Sequence, residues 1–207
     1  KNYFIVFIFT AIITTLISYL TSFNTWGFVG IFLSLIIISG SIISIYNNYI
    51  KNGFKNILLY NNALIAHIGV GILIIGVTCS SVFQSEYSIE IKLHEDFKIG
   101  KYTFELNNIE VYEKNNYQEL MASFNIYKNN QIFAKLKPSK RYYHVSKMVT
   151  SEAGIYHDWF KDFYIVLGNN NDNIWTAKLY FNPLVNFIWL GVMLMIFSGL
   201  LGIRSKW

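Results

Sequence analysis

Negatively charged side chains are missing from a long stretch of this sequence: all 12 Asp and Glu residues lie between Glu86 and Asp172. Only 14% of the 207 residues are charged and 53% are hydrophobic, whereas charged residues make up about 25% of a typical soluble domain. This composition excludes an ordinary soluble globular protein. It indicates a chain that is partly embedded in a membrane.

The sequence has only one cysteine, and the stretch that holds the acidic residues has no excess of basic residues. The single cysteine, Cys79, excludes an intrachain disulfide and a two-cysteine zinc or redox motif. Twelve of the 17 basic residues lie between Lys92 and Lys178, where they balance the 12 acidic ones, so the net charge of +5 belongs to the apolar parts. We therefore expect no nucleic-acid partner, which would require a basic surface on the polar domain.

Four apolar runs are long enough, at roughly 20 residues each, to cross a bilayer as helices. They predict spans at about residues 3–21, 26–45 and 63–82, with a fourth span and a short tail in 183–207. Basic flanking residues tend to stay on the cytoplasmic side of a membrane. The loop 47–62 and both ends are thus expected to face the cytoplasm or matrix; the basic flanking residues are Lys1, Lys51, Lys55, Arg204 and Lys206.

Residues 84–182 predict a separate β domain on the opposite side, in the periplasm or intermembrane space. Residues 87–93 and 102–106 alternate apolar and polar side chains, and 163–168 and 175–180 flank an Asn-rich turn. The segment 150–159 is ambiguous between a short helix and an irregular loop. Asn182 and Pro183 suit the first turn of the fourth span. The predicted fold is a bundle of four transmembrane helices with an inserted, mostly antiparallel β domain.

His67 is the most informative side chain because a titratable group inside a span is costly unless it pairs, binds a metal or lines a cavity. On a helix, Ala63, Gly71, Ile74 and Thr78 project near the same face. This mostly small stripe leaves room for a flat ligand such as a haem, and a neutral imidazole can ligate its iron. Alternatively, His67 bonds a neighbouring helix and the small residues serve close packing. The spacing alone leaves both interpretations open.

Other residues point more to structure than to chemistry. Gly69, Gly76 and Ser80 form a second helix face that we expect to pack against another helix, and Cys79 is expected to be a small buried filler.

The polar domain offers one candidate surface and no complete active site. Lys140 and Arg141 either meet a carboxylate or a partner protein, or lie solvated at a strand edge. His94, His144 and His157 lack the spacing of metal ligands. Catalytic triads, phosphate loops and carboxylate pairs are also missing from the sequence. We therefore expect no catalytic residue in this chain, and whether it acts as an enzyme stays open.

Several short motifs, in this order and spacing, resemble the C-terminal part of the CcmF family, which includes CycK and NrfE. The resemblance covers about residues 60–203, and the first two spans fit only by hydropathy. The matching stretches are Ala66-His-Ile-Gly-Val70, Ile75-Gly-Val-Thr78 with Ser80-Ser81, Asn116-Tyr117, Pro138-Ser-Lys-Arg-Tyr142, Thr150-Ser-Glu-Ala153, Asp162-Phe-Tyr-Ile-Val-Leu-Gly168, Asn182-Pro-Leu-Val185, Ile188-Trp-Leu-Gly191 and Gly199.

The resemblance implies a part of the cytochrome c haem lyase, which attaches haem covalently to apocytochrome c during cytochrome c maturation. Family members receive haem from the chaperone CcmE, work beside thiol-reducing CcmH-like subunits and hold a structural haem b between two transmembrane histidines. By its place in the Ala-His-Ile-Gly motif, His67 resembles one of these two axial ligands of the haem iron. None of His94, His144 or His157 matches a family haem position.

The family's external haem-binding segment and its other transmembrane histidine belong to an N-terminal part that this sequence lacks. We therefore expect that part, or a second chain carrying it, as a partner, together with membrane lipid. A composition rich in Asn and Lys suggests an organellar or endosymbiotic origin, so the expected location is the mitochondrial or the bacterial inner membrane. The alternative function is a non-catalytic structural subunit of a membrane complex whose β domain binds other proteins.

Overall fold

The computed structural model describes residues 2–21, 25–53 and 61–204, which form two compact units. One unit contains the helices together with residues 159–161, and the other contains residues 85–158 and 162–181. The first is all-helical apart from its connecting residues, and the second is built of strands. The predicted fold class, a helical membrane protein with a β domain, is confirmed.

Within the described residues, the helical unit contains four helices, whose apolar composition follows the four hydrophobic runs of the sequence. Three of them are long and apolar enough to cross a membrane, and α1 contains a shorter apolar segment of its own, Phe4–Leu20. With few charged side chains, each can expose its sides to lipid while its backbone groups bond internally. The helices are α1 (Asn2–Thr21), α2 (Thr25–Asn52), α3 (Asn62–Val82) and α4 (Val185–Arg204).

Helix α2 continues beyond the span predicted at 26–45, into the region predicted as a loop. It ends at Asn52, and Gly53 follows with a φ of 70° while its N–H donates to the carbonyl of Tyr49 at 2.8 Å. A glycine in the left-handed conformation is a common helix terminator. The side-chain amide of Asn48, which lies in α2, donates to the side-chain oxygen of Asn61 at 2.6 Å. Asn48 therefore has a hydrogen-bond partner although it lies in an apolar helix. Most of the remaining predicted loop, residues 54–60, lies outside the described residues.

Helix α3 packs between α2 and α4 through glycines on two of its faces. A Cβ placed on Gly71 would lie 2.5 Å from the Ile38 side chain on α2. On the other side, a Cβ on Gly69 would lie 2.8 Å from the carbonyl oxygen of Gly191 on α4. Small residues allow membrane helices to approach this closely. The packing role predicted for Gly69 and Gly76 is confirmed, since Gly76 meets the backbone of Ile188 in the same way.

The β unit consists of ten strands in two antiparallel sheets. One sheet has the order β1-β10-β9-β8, and the other has the order β2-β3-β4-β6-β7, with β5 also pairing with β4. The strands are β1 (Ser85–Ile91), β2 (Asp96–Ile99), β3 (Tyr102–Glu113), β4 (Tyr117–Lys128), β5 (Gln131–Leu136), β6 (Ser139–Tyr143), β7 (Met148–Glu152), β8 (Gly154–His157), β9 (Lys161–Asn171) and β10 (Ile174–Pro183).

One hydrophobic core joins the inner faces of these strands, as the alternating sequence pattern predicts. Phe163 is 1% exposed and its ring contacts the rings of Tyr102, Phe104 and Tyr156 from both sheets. The buried apolar side chains are Ile91, Tyr102, Phe104, Leu106, Ala122, Phe124, Ile126, Leu136, Phe163, Ile165, Leu167, Ala177 and Leu179.

The ambiguous segment 150–159 forms neither a helix nor a simple loop. It contains the end of β7 and all of β8, which belong to different sheets, so the chain crosses between sheets at residues 152–154. A Cβ on Gly154 would lie 2.8 Å from the backbone nitrogen of Pro138. The glycine therefore permits the close approach that this crossing needs.

The transition from β10 to α4 also differs from the sequence prediction. Pro183 is the last residue of β10 instead of the first residue of a helix, and α4 begins at Val185. Leu184, between them, has a φ of 58°. This left-handed residue redirects the chain from strand to helix, so Asn182 does not cap α4.

Candidate haem ligand on helix α3

His67 lies in the second turn of α3 on a face that no described residue of this chain covers. Its Nδ1 donates to the carbonyl oxygen of Ala63 at 2.6 Å, one helical turn earlier. A carbonyl can only accept, so this hydrogen bond places the proton on Nδ1. The lone pair of Nε2 is left directed away from the helix, which is the arrangement that a metal-binding histidine requires.

The exposed face of α3 is a continuous stripe that runs along the helix. Ala63, His67, Val77 and Ser81 are exposed and Val70 and Ile74 are half-buried. These six residues, at intervals of three and four, follow one side of an α-helix. We call them the α3 stripe. Its side chains are small or aliphatic around the imidazole, and they fit the flat apolar surface of a porphyrin.

Two of the residues expected beside His67 do not belong to the α3 stripe. Gly71 and Thr78 are buried. On α2, Ile38 lies against Gly71 and Gly30 lies against Thr78. Their small size serves the α2–α3 contact. Ala63 and Ile74 stay on the side of His67, so fewer small residues lie beside the imidazole than the sequence pattern predicts.

The other three histidines lie in the β unit and make local contacts. His144 Nε2 is 2.8 Å from Glu113 Oε1, and His157 Nδ1 is 3.0 Å from Asp162 Oδ2. His94 occupies a turn with a φ of 62°. The described residues contain no group of three or more His, Cys, Asp or Glu that could hold a metal ion. The chain thus has one histidine side chain within an apolar helix.

Lys140 and Arg141 do not lie at a strand edge, so that interpretation is wrong: β6 pairs with β4 on one side and β7 on the other. Arg141 Nε donates to Glu119 Oε1 at 2.9 Å, and Ser139 Oγ donates to the same oxygen at 2.7 Å. Both bonds lower the pKa of the buried Glu119 carboxyl, and the bond from the Ser139 hydroxyl has a larger effect than the bond from Arg141. Lys140 Nζ donates to Asn169 Oδ1 at 2.8 Å.

The β unit contains an apolar cavity of about 270 Å³ that the sequence did not predict. Tyr87, Tyr102, Phe104 and Phe163 are among the residues that line it. Small-molecule sites usually have volumes of about 300–1,000 Å³. The cavity is below this range, so it offers no room for a porphyrin.

The β unit matches a known family. Residues 82–183 match the family model described as the CcmF C-terminal β-sandwich. A solved structure titled Cytochrome c Heme Lyase CcmF covers 96% of this chain with a TM-score of 0.79, at 11% sequence identity. At that identity the likeness shows a shared fold, which extends over the helices as well as the sandwich.

Curated relatives match about two thirds of the chain. The chain is 34% identical over 139 residues to the cytochrome c-type biogenesis protein CcmF of Haemophilus influenzae, covering 67% of this chain and 22% of that protein. It is 30% identical over 145 residues to the cytochrome c-type biogenesis protein CycK of Bradyrhizobium diazoefficiens, covering 70% and 22%. The chain spans about a fifth of the length of these relatives.

Proposed function

Because this chain belongs to the CcmF family of cytochrome c-type biogenesis proteins, over the family's C-terminal part, we propose that it forms part of a cytochrome c haem lyase. In this role it handles haem and assists the covalent attachment of haem to apocytochrome c. The reaction needs the haem vinyl groups held close to reduced cysteine thiols. Orientation of this kind is the contribution that a protein makes to cofactor chemistry.

The observation that carries the proposal is the hydrogen bond from His67 Nδ1 to Ala63. It holds the imidazole in one tautomer and directs Nε2 across the α3 stripe. His67 would hold the iron of a haem b through Nε2, and this group would supply one-electron chemistry. The aliphatic and small residues of the stripe exclude water from the bound face.

The second axial ligand comes from outside this chain. The four histidines of the sequence include only one in an apolar run, and this His67 is exposed on α3. We propose that a transmembrane histidine of the N-terminal part of the family, on the same or another polypeptide, faces it. The α3 stripe is then the seam along which the two parts pack.

The remaining partners follow from the same assignment. CcmE delivers the haem, CcmH-like subunits keep the apocytochrome thiols reduced, and the β unit binds one of these proteins or closes the site. The positions of the basic residues that flank the helices support a β unit in the periplasm or intermembrane space. The chain is a multi-pass protein of the bacterial or mitochondrial inner membrane.

The test is a reduced-minus-oxidised visible spectrum of the complex recovered from native membranes through a tag on this chain. We expect a b-type α band in the wild type and its loss in His67→Gly. Added imidazole should restore the band, because a free ligand can occupy the vacated space. Val77→Ala, on the same stripe, is the matched control and should keep both the band and mature c-type cytochromes.

A band that survives in His67→Gly would show that His67 is a packing residue. If the wild-type complex contains no haem although the N-terminal part is present, the structural-subunit interpretation replaces the haem lyase.

A further inference from the structure

The loop between β8 and β9 belongs to the helical unit and not to the sandwich. Trp159, Phe160 and Lys161 are grouped with the helices. The N–H of Leu184 donates to the carbonyl oxygen of Phe160 at 2.9 Å, and Val185, the next residue, begins α4. The loop is thus fixed beside the first turn of a membrane span.

The two aromatic side chains of this loop are largely uncovered. Trp159 is 74% exposed and Phe160 is 66% exposed. Exposure of large apolar side chains to water costs free energy. A backbone hydrogen bond fixes this loop, and both rings remain exposed to solvent. Surroundings in which apolar rings lie beside polar groups, away from bulk water, would remove this free-energy cost.

Other exposed aromatic residues lie at the same end of the helical unit. The antiparallel contacts of α3 with α2 and α4 put the end of α1 and the starts of α2 and α4 at one end. At this end Tyr19 is 83% exposed, Trp26 is 79% exposed and Trp189 is 64% exposed. Tryptophan and tyrosine concentrate at the headgroup level of bilayers, where one side of the ring is apolar and the other wet.

We infer that Trp159 and Phe160 form an interfacial anchor: the β8–β9 loop inserts its two rings into the headgroup layer of the lipid bilayer at the end of α4. The occupant is the membrane surface itself. The anchor adds a third attachment to the membrane besides α3 and α4, at the base of β9.

The inference is tested by spin labelling of the full chain in proteoliposomes. A Cys79→Ser background removes the single cysteine, and labels are placed by Trp159→Cys and, separately, Phe160→Cys. Met193→Cys, at a 65% exposed position within α4, is the control for the bilayer interior. Asn171→Cys, at the exposed end of β9, is the control for water. Collision rates with oxygen and with a water-soluble nickel chelate are measured at each site.

We expect oxygen-to-nickel accessibility ratios at 159 and 160 that fall between the two controls, with nickel accessibility several-fold lower than at 171. Nickel accessibility equal to that at 171 would place the loop in water and overturn the inference. Low accessibility to both reagents would show a protein contact and would also overturn it. As a second measurement without labels, Trp159→Phe should remove part of the tryptophan fluorescence that brominated lipids quench; unchanged quenching contradicts the anchor.

Discussion

The Nδ1 of His67 and the carbonyl oxygen of Ala63 are 2.6 Å apart, within a single turn of α3. The helix itself therefore selects the tautomer of the imidazole, and no second helix of this chain is needed to hold it. This explains how a histidine can lie on an uncovered face. A ligand residue that is oriented locally can meet an iron presented by another part of the complex.

Replacement of His67 by methionine should alter the haem without removing it. Methionine is also an axial ligand, and it raises the reduction potential of haem iron relative to histidine. We expect the b-type haem of the recovered complex to titrate at a higher potential in His67→Met than in the wild type. Val77→Met places the same side chain on the α3 stripe away from the iron, and its redox titration should match the wild type. A wild-type potential in His67→Met would contradict iron ligation by this residue.

The contact between Gly69 and Gly191 should tolerate no larger side chain. A Cβ on Gly191 would lie 2.5 Å from the Gly69 carbonyl oxygen, a backbone atom that cannot move aside. We expect Gly191→Ala to lower the stability of the helical unit by about 1–3 kcal/mol.

Thermal unfolding of the detergent-solubilised chain checks this value, and Gly199→Ala is the control on the same helix. A Cβ on Gly199 meets nothing within 4 Å, so that change should be neutral or should stabilise α4 by up to about 1 kcal/mol. Equal effects of the two substitutions would refute the close packing.

Gly154 should be required for the crossing between sheets. Gly154→Ala brings a methyl group to 2.8 Å from the Pro138 backbone, and we expect a loss of about 1–3 kcal/mol in the stability of the β unit. Gly100→Asn is the comparison, because Gly100 has a φ of 57° with open space around it, and asparagine adopts that conformation more readily than other side chains. A lower unfolding midpoint for Gly100→Asn than for Gly154→Ala would contradict the role of Gly154.

The stability of the β unit should depend on the charge of Glu119. Ser139 and Arg141 hold the pKa of Glu119 below its usual value, so the ionised form stabilises the fold. This stabilisation is complete above the unfolded pKa of about 4.3 and is lost as the pH falls through the lower folded pKa. Because the Arg141 side chain is 30% exposed, solvent screening limits the effect to the order of 1 kcal/mol.

The measurement is the difference in unfolding midpoint between the wild type and Glu119→Gln at neutral pH and at about pH 3. The wild type should be more stable at neutral pH, and the difference should shrink in acid. Glu90→Gln, on the exposed part of β1, should keep the wild-type unfolding midpoint at neutral pH. A constant difference for Glu119→Gln would mean that the residue acts through packing alone.

Local patterns predicted the elements of this fold well where one force dominates. The apolar runs gave the helices because a bilayer admits almost nothing else. Asn129 and Asn130 form the turn after β4, with φ values of 51° and 60°, as expected of paired asparagines between two strands. The paired turn Asp172-Asn173, with φ values of 50° and 65°, likewise closes the predicted hairpin of β9 and β10.

Features that depend on contacts distant in sequence were not predictable in this way. The division of 150–159 between two sheets depends on the close approach of Pro138 to Gly154. The faces of α3 show the same limit, since spacing put Gly71 and Thr78 near His67 but could not tell which of them α2 would cover.

The α3 stripe has a consequence for how this sequence varies among its homologues. A helix face that meets only lipid accepts any apolar residue, so its positions drift freely over evolutionary time. A face that meets a protein partner through a bound porphyrin is restricted in side-chain volume at each position. Ala63, Val70 and Ile74, the stripe positions within two turns of His67, should therefore be nearly as invariant as His67 itself.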